Sequence, residues 1–216
     1  MLSPALTSMA TTCGKTITGF NENTAKHLII DAGAVYVNFD IEKDSLETAK
    51  AKLIGATSGG NEFSAVPTFR EIKVDGVKGK VKGLRPLETW EVHLKTNLLE
   101  FNDSTFKYAL AGAVAGSKTI QEKEYTSIQG KNCVLESDFL ENVTLVGNIS
   151  GSTEPVIIQV FNALNNEGLT INMADSEDIV AEIDFEGHYS ADKLDNPPFV
   201  IYYPKTGVSV VGSLGK

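Results

Sequence analysis

Residues 89–98 alternate apolar and polar side chains more regularly than any other part of the chain. The apolar positions are Trp90, Val92, Leu94 and Leu98, and charged or polar residues stand between most of them. Successive side chains of a β-strand point to opposite faces of the sheet, so this pattern predicts a strand with one buried face and one wet face. The chain is therefore predicted to contain a half-buried β-sheet.

The second half of the chain is predicted to be almost entirely strand. Runs rich in β-branched and aromatic residues are separated by stretches with the residues that turns need, which gives predicted strands at 139–150, 156–163, 169–173, 179–189 and 199–203. Residues 165–168 (Asn-Asn-Glu-Gly) are a predicted hairpin turn. Nearer the N-terminus, residues 27–39 are predicted to form a strand pair, or one strand bent at Gly33.

Two short helices are predicted among these strands. Residues 44–47 resemble a capping box, and the helix that follows places Leu46, Ala49 and Leu53 on one face before Gly55 ends it. Asp103 is the predicted cap of a second helix, which ends at Gly112 and carries a stripe of Phe106, Ala109 and Leu110. The predicted fold class is mainly β, with two packed antiparallel sheets forming a sandwich or barrel and one flanking α-helix.

Charge and cysteine content limit the possible functions. The chain has 19 Lys and Arg against 28 Asp and Glu, a net charge of -9. Proteins that hold phosphate groups need clustered cations, so tight nucleic-acid binding is not expected, although a wall that DNA slides past benefits from a negative charge. Cys13 and Cys133 fit neither a disulfide framework nor a metal knuckle. With no secretory signal or membrane span recognised, we expect synthesis in a cytoplasm and no membrane insertion.

No residue pattern in the chain indicates catalysis. The glycine-rich run 55–60 lacks the Lys and Ser or Thr that a phosphate-binding loop needs, since Asn61 and Glu62 follow it. The three histidines, His27, His93 and His188, have no metal-binding spacing. We therefore predict a protein that is not an enzyme, with no cofactor, metal site or catalytic residue.

Glu182, Asp184 and Glu186 form the most informative cluster of charges. In a strand these carboxylates share one face, opposite Ile183 and Phe185. Three interpretations stay open at this point: an ordinary solvated face, a stripe facing a channel or a neighbouring subunit, and a carboxylate pair for hydrolysis. The last requires two carboxylates held across a cleft with one pKa raised, which no pattern in the sequence indicates.

Three segments of the chain resemble the major tail tube proteins of long-tailed bacteriophages, of the type found with Gram-positive hosts. They are residues 53–63 (Leu-Ile-Gly-Ala-Thr-Ser-Gly-Gly-Asn-Glu-Phe), 70–76 (Arg-Glu-Ile-Lys-Val-Asp-Gly) with 82–84, and 184–189 leading to 198–204. The resemblance implies two packed sheets with one helix and six copies in a ring whose inner sheets join around a DNA channel. The rings are then expected to stack as the tail tube of a virion, assembled in the host cytoplasm.

The resemblance also implies a division of the chain and a set of partners. Residues 1–24, which lack a hydrophobic period, are the predicted N-terminal arm, 25–204 the β-domain and 205–216 a C-terminal tail. Within the domain, residues 40–68 are the predicted inter-ring loop, with the candidates Gly55, Ser58, Gly59, Gly60, Asn61 and Glu62. The expected partners are further copies of the chain, the tail terminator, tape measure and distal tail proteins, and DNA that passes through without specific binding. Glu182, Asp184 and Glu186 are the candidate channel lining.

One alternative comes from a different functional class. A β-sandwich of this size also suits a non-catalytic receptor-binding, carbohydrate-binding or decoration module of a virion. Sugar-binding modules expose clustered aromatic side chains, whereas Trp90, the single tryptophan, stands on the predicted apolar face.

Overall fold

A computed structural model describes residues 19–21 and 23–205 of the chain. The described part contains nine strands and one α-helix: β1 (Ile29–Val37), β2 (Thr57–Phe69), β3 (Leu87–Leu98), α1 (Asp103–Ala109), β4 (Ala113–Ile120), β5 (Lys123–Gly130), β6 (Leu140–Ile149), β7 (Val156–Asn165), β8 (Ala181–Glu186) and β9 (Phe199–Tyr202). Three short 3-10 helices span Thr24–Lys26, Thr48–Lys52 and Glu136–Asp138. The mainly β fold class with one helix is thus confirmed. Of the predicted arm at 1–24, residues 1–18 and 22 lie outside the described residues, as do residues 206–216 of the predicted tail at 205–216.

Seven strands form an antiparallel sheet that folds into two packed layers. The first layer has the order β1-β6-β7-β9, and the second has the order β8-β3-β2. Strand β7 belongs to both, because residues 157–160 pair with β9 whereas Leu164 and Asn165 pair with β8. Between these two parts, Asn162 has a positive φ of 48°. The result is a sandwich rather than a closed barrel.

The two layers bury one hydrophobic core between them. The first layer contributes Val35, Val37, Val143 and Val160, and the second contributes Val92, Leu94, Leu98, Ile183 and Phe185. These residues occupy alternate positions of their strands, so each inner face is apolar and each outer face is free to be polar. The period-2 prediction for residues 89–98 is therefore confirmed, with Trp90 half-buried against Phe199 at 5.3 Å between ring centroids.

The outer faces of the two layers differ. The outer face of the first layer packs against the segment that follows β1, and Tyr36, Phe39, Ala49 and Val146 form a second, smaller core there. A network of buried amides holds this segment, since the side chain of Asn142 bonds both the N–H and the C=O of Phe39, at 3.0 and 3.1 Å. The outer face of the second layer carries charged side chains instead.

Several sequence-based predictions are corrected by the structure. The first predicted helix is only a 3-10 helix at Thr48–Lys52, and of its predicted apolar stripe Ala49 alone is buried. A stripe this weak gains too little from burial to support a longer helix. The second predicted helix exists, but Asn102 rather than Asp103 caps it, because the Asn102 side chain accepts the N–H of Thr105 at 2.9 Å.

Residues 169–173 do not form the predicted strand, and residues 165–168 do not connect two paired strands. Instead, β7 extends to Asn165, whose side-chain amide donates to the carbonyls of Ala109 and Gly168. A strand needs a hydrogen-bonded neighbour as well as a suitable composition, and residues 169–173 pair with none of the described strands. Within residues 27–39, in contrast, residues 29–37 form a single strand with an irregularity around Gly33, which confirms the second of the two predicted alternatives.

The predicted loop at 40–68 is the largest correction. Residues 57–68 of this range belong to strand β2, which pairs with β3 on both sides of an irregularity between Thr57 and Asn61. The long connection lies further along the chain, at residues 70–86, and links β2 to β3. In addition, β4 and β5 form a separate two-stranded hairpin that the sequence did not predict. No helix of the described part is long and apolar enough to cross a membrane.

Candidate functional site

The outer face of the second layer is the most highly charged sheet surface of the described part. We call it the acidic face. Register places Glu62 of β2 opposite Lys95 of β3, which in turn is opposite Asp184 of β8. Six carboxylates and one lysine lie on or over this face: Glu62, Glu91, Glu167, Glu182, Asp184, Glu186 and Lys95.

Asp184 differs from its neighbours because it is buried on this face. The residue is only 4% exposed, and its carboxylate approaches Nδ1 of His93 at 3.1 and 3.2 Å. The ammonium group of Lys95 lies 3.6 Å from the same carboxylate. A buried carboxylate needs such partners because desolvation of an unpaired charge costs several kcal/mol, on the order of the stability of a whole domain.

Lys95 is the electrostatic centre of the acidic face. Its ammonium group lies 3.4 Å from Glu182 and 3.8 Å from Glu167, in addition to Asp184. The carboxylates, led by Asp184 and then Glu167, raise the pKa of Lys95 above its ordinary value. Lys95 therefore stays charged at neutral pH and offsets part of the repulsion between the surrounding carboxylates.

The predicted acidic stripe is brought together on one strand face, but its three members are not equivalent. Glu182 is exposed, with 53% of its side chain accessible, and Glu186 is half-buried with a hydrogen bond from Asn166. Asp184 is directed to His93 and Lys95 and presents almost no surface. The channel lining proposed from sequence therefore needs correction at Asp184, because a side chain without surface cannot face a passing molecule.

Other strands add carboxylates to this face. Glu91 lies on the polar side of the predicted strand 89–98, but its place beside the stripe of β8 depends on the register between the strands. Glu62 stands in the predicted loop 40–68, so its place on the acidic face depends on recognising β2 as a strand. Glu167 reaches the face from the turn after β7 and shows no periodic signal.

The predicted inter-ring residues border the acidic face rather than lying in a separate loop. A shallow depression of about 370 Å³ is lined by Gly59, Gly60, Asn61, Glu62, Lys95, Asn97 and Glu182. Gly55 and Ser58 lie just before it. The role of these residues in ring stacking stays a prediction, but their conformation has a local cause.

Gly59 and Gly60 form an irregularity in β2. Their φ angles are 94° and 91°, which side chains disfavour, and the pairing register with β3 shifts between Thr57 and Asn61. Asn61 then holds β2 to β1 by donating from its side chain to the carbonyl of Ala32 at 2.8 Å. The glycines are thus needed to fold this part of the sheet.

The connection 70–86 between β2 and β3 concentrates positive charge. We call it the basic arm. It contains six cations and two acids, in a chain whose net charge is -9: Arg70, Lys73, Lys78, Lys80, Lys82, Arg85, Glu71 and Asp75. Backbone hydrogen bonds from Arg70 to Pro86 and from Ile72 to Leu84 continue the β2–β3 hairpin, and the Arg85 guanidinium lies 5.0 Å from the centre of the Phe69 ring.

The basic arm also exposes apolar side chains. Ile72, Val74, Val77 and Val81 are each more than two-fifths exposed. In the run 77–82, lysine occupies every second position, and Val77, Gly79 and Val81 stand before these lysines. A surface that is both basic and apolar is suited to contact an acidic protein surface, because the apolar groups gain from burial while the charges select the partner.

The three histidines occupy separate environments. His93 contacts Asp184, whereas His27 contacts the Tyr203 hydroxyl and His188 contacts the carbonyl of Asn162. Within residues 19–21 and 23–205, no group of three or more His, Cys, Asp or Glu side chains is arranged to hold a metal ion. Cys133, the cysteine that the structure describes, is exposed and unpaired.

Comparison with known proteins adds no family assignment. No protein-family model matches the chain, and no curated protein matches it.

Proposed function

We propose that this chain is a structural, self-assembling subunit of a bacteriophage tail tube, in which copies join edge to edge into rings and the rings stack around a DNA channel. The observation that carries the proposal is the open edge of β2. This strand has 13 residues, and among the described strands it pairs only with β3. A long unpaired edge favours strand addition, and natural proteins normally cover or interrupt such an edge.

The second layer offers a different edge on its other side. Residues 181–184 of β8 pair with β3, and only Phe185 and Glu186 pair with β7 as well. A contact between two different edges of identical chains is heterologous, and it produces a closed ring when the rotation between neighbours closes. This arrangement supports ring formation better than a two-fold dimer.

The acidic face supports the assignment of the second layer to the inside of the ring. Glu62, Glu91, Glu182 and part of Glu186 are accessible there, and only one lysine interrupts them. DNA carries about one negative charge per 1.7 Å of duplex, so a wall of the same sign keeps it from adsorbing. Screening limits this repulsion to about 8 Å at physiological salt, so the carboxylates must line the channel directly.

The basic arm is our revised candidate for the ring-to-ring contact. It extends the β2–β3 hairpin beyond the end of the second layer and combines six cations with exposed valines. Each arm would meet an acidic neighbouring copy, for which its charge is complementary. This proposal replaces residues 57–68 as the stacking loop, because those residues are committed to pairing with β3.

Electron microscopy of the purified chain tests the proposal directly. We expect rings or hollow tubes for the wild type, and rings without tubes when residues 73–82 are replaced by an Asn-Gly turn. A matched control replaces Lys43 and Lys50, outside the arm, by Ser and should leave tubes intact. A chain that stays monomeric at high concentration, by sedimentation velocity, would contradict the proposal and favour the binding-module alternative.

A further inference from the structure

The β4–β5 hairpin is the least protected element of the described part. Apart from Ala113 and Ile128, every residue from 113 to 130 is exposed, and the hairpin forms a two-stranded sheet of its own. A two-stranded hairpin is marginally stable in water unless it packs against something. At its base the hairpin is held by Lys131, which pairs with Asp138 and donates its backbone N–H to Gly112.

One face of this hairpin is apolar and basic. The cross-strand pairs Val114–Gln129, Gly116–Ser127, Lys118–Tyr125 and Ile120–Lys123 lie on it, and none contains an acidic residue. Val114, Ile120 and Tyr125 are each about half exposed. We call this surface, made by Val114, Lys118, Ile120, Lys123 and Tyr125, the hairpin face. The opposite face carries Glu124, which is bonded to Ser117 at 2.6 Å.

A groove with complementary properties lies beside the 3-10 helix Glu136–Asp138. It encloses about 610 Å³, and Phe139, His188 and Tyr189 line it together with the exposed carboxylates of Glu136 and Asp192. The His188 ring meets the Phe139 ring edge-on at 5.1 Å, which fixes the aromatic part of the lining. No lysine or arginine is among the described residues that line this groove.

We propose that the hairpin face of one copy docks in this groove of a second copy. Ile120 and Tyr125 cover the aromatic lining, and Lys118 and Lys123 meet the carboxylates at the rim. The proposal deepens the proposed function, on which it rests, by naming a pair of surfaces that join two copies. Charge complementarity selects the occupant, because the chain carries both the basic and the acidic partner surface.

The separation of the two surfaces within one molecule makes the contact intermolecular. Eight strand residues at about 3.4 Å each place the tip of the hairpin roughly 25 Å from its base. Glu136, at one end of the groove, is only two residues from Asp138, and Asp138 is bonded to Lys131 at the base of the hairpin. A contact that joins the tip of one copy to the base region of another is heterologous, so it repeats in one direction and is compatible with a ring.

Charge reversal with rescue tests this contact. The variant K118E/K123E and the variant E136K/D192K should each reduce the assembled fraction at least ten-fold, measured by sedimentation velocity. An equimolar mixture of the two variants should recover assembly, because alternating copies place each acidic hairpin face in a basic groove and each basic hairpin face in an acidic groove. The four-fold variant that carries both reversals should recover assembly. The control variant K50E/K205E, which reverses two cations away from both surfaces, should assemble like the wild type.

Two further measurements keep the result interpretable. Thermal unfolding of each variant at concentrations that prevent assembly should match the wild type, which excludes misfolding as the cause. In a C13S/C133S background, I120C protein mixed with A191C protein should form a disulfide between copies under mild oxidation. If K118E/K123E assembles normally, or if no crosslink forms, the docking proposal is wrong while ring formation stands. A wild type that never assembles would instead contradict the proposed function itself.

Discussion

Asp184→Asn should destabilise the folded chain far more than a similar change at the neighbouring carboxylate Glu182. The amide keeps the shape of the side chain but removes the charge that both His93 and Lys95 contact. Hydrogen bonds to charged groups contribute about 1.5–3 kcal/mol each, so we expect a loss of roughly 2–3 kcal/mol. For a chain of this size that corresponds to a fall in Tm of about 4–12 °C.

Glu182→Gln is the matched control on the same strand face. Glu182 contacts Lys95 at 3.4 Å but is largely exposed, and exposed ion pairs contribute about 0–1 kcal/mol. The Tm of the Glu182→Gln variant should therefore lie no more than about 4 °C below that of the wild type. Thermal unfolding of unassembled protein, followed by circular dichroism, measures both variants. Equal shifts for Asp184→Asn and Glu182→Gln would refute the view that Asp184 is a structural anchor rather than part of an accessible surface.

Three further changes test the described fold. Replacing Gly59 and Gly60 together by Val should lower the free energy of unfolding, measured with urea, by about 2–4 kcal/mol, because both residues have positive φ. An unchanged urea midpoint would show that the fold does not require the irregularity in β2. The free energy of unfolding of Asn162→Ala should be about 1–2 kcal/mol lower than that of Asn162→Gly. Both variants lose the hydrogen bonds to His188 and Ser190, but only glycine adopts the positive φ of this position freely. The reverse order of stability would contradict this explanation. Lys131 lowers the pKa of Asp138 below its ordinary value of 3.8, so the stabilisation by Asp138 is present above that pH and is lost as the pH falls through the lowered pKa. The free energy of unfolding of Asp138→Asn should therefore depend less steeply on pH in this range than that of the wild type. An unchanged pH dependence would argue against a stabilising pair of Lys131 and Asp138.

The strands of the core could be predicted from the sequence because hydrophobic burial imposes a period. In β3, β6, β7 and β8, alternate residues face the core, and the predicted bounds of each strand agree with the observed bounds to within a few residues. The same reasoning failed for β2, where glycines and polar residues hide the alternation. It failed again for β4 and β5, because a hairpin exposed on both faces buries too little to show a pattern.

The strand predicted at 169–173 illustrates the opposite error. Leu169, Ile171 and Met173 alternate as a strand would, yet a strand also needs a neighbour to accept its hydrogen bonds. Pairing is a property of the whole fold, and local composition does not report it.

The acidic face could be predicted only in part for the same reason. The shared face of Glu182, Asp184 and Glu186 follows from the geometry of one strand. The burial of Asp184 follows from its position beside His93 and Lys95, which depends on the register between β3 and β8. The excess of cations in the basic arm can be seen in the sequence of residues 70–86. That this segment extends a hairpin is known only from the pairing of β2 with β3.

The most direct test of the proposed function is an electron cryomicroscopy map of the wild-type assembly. We expect rings stacked into a hollow tube, with the second layer inside and Glu62, Glu91 and Glu182 lining the channel. A tube with these side chains on its outer surface, or a wild type that yields no ring at any concentration, would contradict the proposed function.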